Sequence, residues 1–323
     1  MPPKLAIAPS PVVLHVASDA APTARPRDDR TLVPVRHGVW ADAAAWRALA
    51  PWDRYLARVH AVALLRPDAL FCRESAAALW GQPIFGEPRD IHLLDGQATR
   101  SHRVGDVVRH ASLTTSRFVE TGGLLLTAPA DTAVALARAL PPAWGLAAVD
   151  ATIGKRQLGL CTIAEIRDAF LLQVDRRHRR RCAWAIEHAD PRSESVGESV
   201  SRAVIGWLGY EEPELQHPFH FEGQNDRCDF YWPRSDIAGE SDGYGKYRTP
   251  ADLAAEKRRE DRLRRHLRGF ARWDWNDAMR AEPLRRTLEA SGVRRIRPPV
   301  PAMLATLTSH SHRPRRNLAR EAG

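Results

Sequence analysis

The stretch from Pro191 to Asp277 constrains the fold most, because acidic residues sit inside two adjacent segments that otherwise read as β-strand. Its first part, Glu194 to Leu208, has the apolar spacing of a helix that stops at Gly209. Leu215 to Phe221 then alternates, Gly223 to Asp226 supplies a turn, and Arg227 to Trp232 alternates again before Pro233, which is a hairpin pattern. A third strand is predicted over Ile237–Asp242, a long charged helix from Pro250 or Ala251 to His266, and a last strand over Phe270–Trp275. Asp229 and Glu240 fall within the second and third of these strands. Carboxylates are disfavoured there and call for compensation. A divalent cation is one such compensator, and two strand carboxylates with a third from a neighbouring helix form an oxygen-rich set suited to Mg²⁺. Glu194 and Glu198 lie four apart, so both project from one helix face, with Arg202 a turn further on. A surface charge array explains the same spacing.

The chain of 323 residues is long enough for two cores, and 44% hydrophobic with 27% charged residues places it among globular proteins. Its 48 basic against 39 acidic residues give a net charge of +9, which favours a polyanionic partner. All but four of the basic residues are arginine; the lysines are Lys4, Lys155, Lys246 and Lys257. Cys72, Cys161, Cys182 and Cys228 form no C-x-x-C pair, so neither a zinc ribbon nor a disulfide framework is expected and a cytoplasmic setting is. No apolar run approaches the roughly 20 residues that span a bilayer. Leu5 to Ala17 imitates the apolar core of a signal peptide, but Pro9 and Pro11 break it.

Residues 1–33, rich in Pro, Ala, Asp and Arg, are expected to be a flexible leader. Helical periodicity runs from Trp46 to Leu65, over Arg73–Trp80 and over Pro129–Leu140, and two short helices are expected in 144–172; Asp90–Leu94 and Asp106–His110 alternate as strands. The run Arg176, Arg177, His178, Arg179, Arg180, Arg181 reads either as a solvated helix face or as phosphate contacts, and marks the expected boundary near residue 185. The division is then a 34–184 module, a 185–297 unit and a basic flexible tail over 298–323. There is no Walker loop, dinucleotide fingerprint or HExxH motif. His217 and His220 are three apart on a strand and face opposite sides, poor geometry for one metal. Trp232, Trp273 and Trp275 are core by default, with a base-stacking platform as the alternative.

Four motifs in the 190–277 region, E-S-x-x-E-x-x-x-R from Glu194, R-x-D-F-x-W from Arg227, G-E-x-D-G-x-x-K-Y from Gly239 and E-K-x-R-E-D-x-L from Glu256, occur in order on these elements. Together they resemble the PD-(D/E)XK nucleases, in their very-short-patch-repair-like branch. The resemblance implies an α/β (α+β) restriction-endonuclease-like fold, a mixed central sheet flanked by helices. It assigns Asp229 and Glu240 to a Mg²⁺ or Mn²⁺ ion and Glu198, with Glu194 as the second choice, to the helical carboxylate. The family's lysine two residues after the strand glutamate is replaced here by Asp242; Lys246, or Lys257 from the helix, is the candidate ammonium. The implied activity is metal-assisted phosphodiester hydrolysis of DNA by Glu198, Asp229, Glu240, Asp242 and Lys246, in repair or phage defence. Arg176, Arg177, Arg179, Arg180, Arg181, Arg258 and Arg262 are the expected nucleic-acid contacts.

Residues 36–154 resemble AbiEi-type antitoxin and regulator proteins through Arg36–Trp40, Arg73–Gly81 and Thr127–Ala133. Those proteins open with a winged helix, where this chain carries its leader. This resemblance implies an N-terminal mixed helical and β module and a catalytically inactive DNA-binding regulator, with a cognate toxin as a further partner. Metal-dependent cleavage discriminates the two readings from sequence-specific duplex binding.

Overall fold

The computed structural model describes residues 5–16, 31–86, 88–111, 116–174, 176–242 and 250–310. It is a mixed α/β structure with three sheets. The first is small: β1 (His15–Val16), β2 (Leu32–Arg36) and β3 (Val39–Asp42) in the order β1-β3-β2. Two helices follow, α1 (Ala43–Ala48) and α2 (Pro51–Leu65). The single helix expected from Trp46 to Leu65 is divided because Pro51 has no amide to donate and suits only a first helical turn.

The second sheet has six strands. It comprises β4 (Leu70–Phe71), which leads into α3 (Arg73–Trp80), then β5 (Ile91–Asp95), β6 (His102–Val104), β7 (Val107–Ala111), β8 (Phe118–Thr121) and β9 (Leu124–Thr127), in the order β6-β7-β5-β4-β9-β8. The central pairs β4/β9 and β5/β7 are parallel; the others are antiparallel. Tyr55, Val59, Phe71, Leu79, Ile91 and Leu126 form its core with α2 and α3. The expected leader departs from flexibility over residues 5–16. Leu5 and Ile7 pack on this core, Ala8 N–H donates to Leu79 O, and His15 and Val16 pair with β3. Apolar Leu5 and Ile7 gain more from burial than a Pro-interrupted stretch suggests from composition alone.

Four helices then stack, α4 (Pro129–Ala139), α5 (Pro142–Ile153), α6 (Ile163–Leu172) and α7 (Arg179–Glu187), and α8 (Val196–Trp207) continues them. The third sheet is β10 (Glu214–Phe221), β11 (Gln224–Trp232), β12 (Ile237–Asp242) and β13 (Gly269–Asp274), in that order, antiparallel except for the parallel pair β12/β13, which α9 (Pro250–His266) connects. The chain continues through α10 (Trp275–Arg280), α11 (Glu282–Ser291), α12 (Pro301–Leu304) and a 3₁₀ turn at Ala305–His310.

The largest apolar core spans the boundary expected near residue 185. Val134 of α4, Leu146 of α5, Ile186 of α7, Val204 of α8, Phe230 of β11, Trp273 of β13 and Leu307 of the last turn all belong to it. Leu307 also places part of the expected basic tail inside the fold; the tail beyond residue 310 lies outside the described residues. Gly239 of β12 is required by this packing: a Cβ there would stand 2.8 Å from the Trp232 ring and 3.0 Å from Trp273. Trp232 and Trp273 are fully buried and Trp275 packs edge-on to Trp144, so these rings are core and not a base-stacking platform.

Candidate functional site

The third sheet brings the sequence-predicted acids of α8, β11 and β12 together. Ser195 caps α8: its Oγ accepts from Glu198 N–H at 3.1 Å and donates to Glu198 Oε1 at 2.8 Å. Glu194 N–H donates to Glu198 Oε2 at 2.9 Å. These bonds fix the Glu198 carboxylate at the first turn, pointing back toward β10 and β11. There Gln216 of β10, held at a φ of 58°, donates through one Nε2 to Glu198 Oε2 at 2.8 Å and to Asp229 Oδ1 at 3.5 Å. Asp229 Oδ2 accepts from Ser241 N–H at 3.0 Å. Glu194 turns elsewhere, to Arg227 at 2.5 Å and Arg156 at 3.2 Å, so Glu198 is the helical carboxylate that meets Asp229.

Glu240 faces two arginines. Arg259 of α9 stands 2.8 Å from its Oε1 and also pairs with Glu256 at 2.6 Å, while Nη1 donates to Arg227 O. Arg272 lies directly opposite Glu240 in the parallel register and comes within 3.9 Å of Oε2; it also reaches Glu256 at 2.7 Å, Glu260 at 3.0 Å and Asp242 at 3.6 Å. Burial, and then the nearby Asp229 carboxylate, push Glu198 and Glu240 up to about 7, with Arg259 opposing the rise at Glu240.

The expected metal pair, Asp229 and Glu240, therefore has both carboxylates engaged, one by an amide and Gln216, the other by two guanidinium groups. A divalent cation needs six or more oxygen donors in open geometry, and its charge would repel Arg259. Among the described residues no group of three or more His, Cys, Asp or Glu side chains is placed to hold a metal. As arranged, these residues do not fit the ion. Asp242, where the resemblance would have put a lysine, faces Arg272; Lys246 lies outside the described residues, and Lys257 is exposed on α9.

Gln216 and Arg272 carry the geometry but escaped the sequence reading, and Arg259 stood in the E-K-x-R-E-D-x-L motif without a role assigned to it. Arg259 had one signal, its three-residue spacing from Glu256 on a helix. Arg272 had none, since a cross-strand pair needs the register. His217 and His220 take separate partners, Glu214 and Asn225.

The basic run divides between surface and structure. Arg176, Arg177 and Arg180 are exposed, as is Arg258 on α9. Arg179 covers the Phe170 ring at 4.2 Å, Arg181 donates to Leu140 O, and Arg262 is held by Asp226 at 2.6 Å. These last three therefore have intramolecular work, and Arg294 and Arg295, near the end of the fold, are exposed cations that the sequence reading passed over.

One buried network joins α5 to α8. Asp150 Oδ2 accepts from Arg202 Nη2 at 2.8 Å and from Ser199 Oγ at 2.7 Å, and Oδ1 accepts from Asp190 N–H at 2.8 Å. All four cysteines are free, and no described helix is long and apolar enough to cross a membrane.

Residues 69–184, from β4 to within α7, match the AbiEi antitoxin C-terminal domain. Over 196 residues the chain is 34% identical to Uncharacterized protein MT2308 of Mycobacterium tuberculosis (strain CDC 1551 / Oshkosh), a stretch that is 60% of this chain and 70% of that protein. Uncharacterized protein Rv2248 of Mycobacterium tuberculosis (strain ATCC 25618 / H37Rv) shows the same identity and coverage. No solved structure matches significantly. The chain belongs to the family of these two mycobacterial proteins and carries an AbiEi antitoxin C-terminal domain across its six-stranded sheet and the helices that follow.

Proposed function

We propose that this chain is an AbiEi-type regulator that binds nucleic acid, with a toxin as its further partner, and that its nuclease-like C-terminal unit serves as a scaffold that does not cut. The observation that carries this reading is the Arg259 guanidinium seated 2.8 Å from Glu240, with Arg272 behind it, at the carboxylates a nuclease would give to its metal. That guanidinium stays charged under any physiological condition and so compensates Glu240 where a metal would otherwise be needed. The AbiEi antitoxin C-terminal domain supports the regulatory half of the reading. The net charge of +9 supports a nucleic-acid partner. Arg176, Arg177, Arg180 and Arg258 supply exposed cations for phosphate contacts, whose affinity falls steeply with salt.

The test sets the purified protein on supercoiled, mismatched and linear DNA with Mg²⁺ or Mn²⁺, beside EDTA and the Asp229→Ala and Glu240→Ala variants, and measures duplex binding across a salt series. The expected result is binding without cleavage, with a binding constant that drops by about tenfold or more between 50 and 200 mM salt. Metal-dependent cutting that both substitutions abolish overturns the reading and restores the phosphodiesterase, with Asp229 and Glu240 as Mg²⁺ ligands.

A further inference from the structure

A second cavity, of about 190 Å³, opens where α5, α7 and α8 meet the chain that follows α11, and Glu198, Asp229 and Glu240 are not among its walls. Arg202, Ala203, Gly206 and Trp207 line it from α8. Their spacing of one, four and five residues puts them on one face of the helix, with the two small residues in the middle and the two large ones at the borders. Ala203 and Gly206 make a flat floor. Glycine is a poorer helix residue than alanine, and crowding does not demand it here, since a Cβ on Gly206 would meet Arg297 Nη2 at 3.6 Å, an ordinary contact. What glycine does at this position is keep the floor open.

The borders of the face carry donors without an acceptor. Trp207 is 4% exposed and Arg202 is 8% exposed, yet among the described residues neither Trp207 Nε1 nor Arg202 Nε has a hydrogen-bond partner. A buried donor left unpaired is costly, and an acceptor brought by a ligand removes that cost. Arg202 engages its two terminal nitrogens with His188 O at 2.5 Å and Asp150 Oδ2 at 2.8 Å. Its charge is thus met by Asp150, and the remaining N–H suits a neutral acceptor better than an anion. Trp184 of α7 adds an aromatic wall, its ring 5.3 Å from that of Trp207 and stacked on His188 at 4.7 Å. Such a wall favours a flat π system. At the rim, the exposed Glu212 offers a carboxylate to a ring amino group or a sugar hydroxyl. Pockets for drug-sized ligands start at about 300 Å³, so this cavity takes a single ring system. A nucleobase combines the required features, a flat face and acceptor atoms on more than one edge.

We infer that this cavity binds one nucleobase, brought either by a free nucleoside or by an unpaired nucleotide of a strand. The inference does not depend on the regulatory reading. It uses none of the arginines assigned to phosphate contacts, and a nucleoside carries no phosphate for them to hold.

The experiment titrates the full chain by calorimetry with guanosine, adenosine and uridine, and with a short abasic strand carrying one central base or none. It is repeated with Trp207→Phe, which keeps an aromatic ring and removes the N–H, and with Gly206→Leu, which fills the cavity at a position where a side chain has room. Trp207→Phe is expected to weaken base binding about tenfold and Gly206→Leu to abolish it, while both variants keep the parent's salt-dependent duplex binding. Binding of a nucleoside identifies a small-molecule site; binding confined to the base-bearing strand identifies a site for an unpaired nucleotide. No nucleoside binding and no gain from the strand's base up to about 1 mM, or binding that either substitution leaves unchanged, overturns the inference.

Discussion

Asp150 of α5 and Arg202 of α8 form an ion pair at 2.8 Å whose side chains are 0% and 7% exposed, and it ties the AbiEi domain to the helix that leads into the four-stranded sheet. Breaking such a pair leaves a buried charge without compensation, at a cost of about 3–5 kcal/mol. Asp150→Ala should therefore unfold the protein several degrees earlier in thermal melting. The double variant Asp150→Asn, Arg202→Gln, which removes both charges, should recover part of the loss. Equal loss in the two variants would show that the hydrogen bonds to Ser199 and Asp190 N–H, not the charges, dominate.

The pH dependence follows from Glu198. Its folded value of about 7 lies above the ordinary carboxylate value of 4.5, so the folded state holds a proton that the unfolded chain releases between those pH values. The associated stability is fully present below about 4.5 and is lost as pH rises through 7. Glu240, also pushed up to about 7, acts with the same sign over the same window, so Glu198→Gln should reduce but not abolish the dependence of melting temperature between pH 5 and pH 8, and a variant that keeps the full slope would locate it elsewhere.

Arg259 compensates Glu240 and Glu256 at once. Arg259→Ala should destabilise the fold by about 2–4 kcal/mol, read from urea midpoints, because two partly buried carboxylates lose a partner. Adding Glu240→Gln should restore part of that loss. Replacing Arg272 by Ala as well as Arg259, with Glu240 kept, should raise Mn²⁺ affinity above that of the parent by calorimetry, since both guanidinium groups that face Glu240 are then gone.

Gly239 tests the packing beneath the site. A methyl group there meets the rings of Trp232 and Trp273 at 2.8–3.0 Å, and overpacking of that kind costs about 1–3 kcal/mol. Gly239→Ala should lower the melting temperature and blue- or red-shift the tryptophan emission; unchanged emission would mean the rings do not move.

The C-terminal unit was readable because its local signals agree with its tertiary pairing. The strand expected over Ile237–Asp242 and the helix ending at His266 appear with those bounds, and acids placed within strands flagged Asp229 and Glu240. What escaped reading depends on register and on long-range contact. Arg272 faces Glu240 only because β12 and β13 run parallel, and Gln216 reaches two carboxylates only because its backbone leaves the strand conformation. The short strands β4, β6, β8 and β9 carry two to four residues each, too few for a period to show. The basic run looked uniform, yet Phe170, Leu140 O and neighbouring side chains sort its members into outward and inward ones.

The shared core has a consequence for how such chains are assembled over evolution. The AbiEi match ends at residue 184, but Val134, Leu146 and Cys182 share one core with Val204, Phe230 and Trp273. A gene fragment ending at 184 would present an oily flank to water, so the domain cannot be shuffled as a free-standing part. Any relative that carries this domain with a different neighbour must reseal that flank with new apolar side chains. Substitutions on the α4–α5 surface should therefore travel with the identity of whatever follows it.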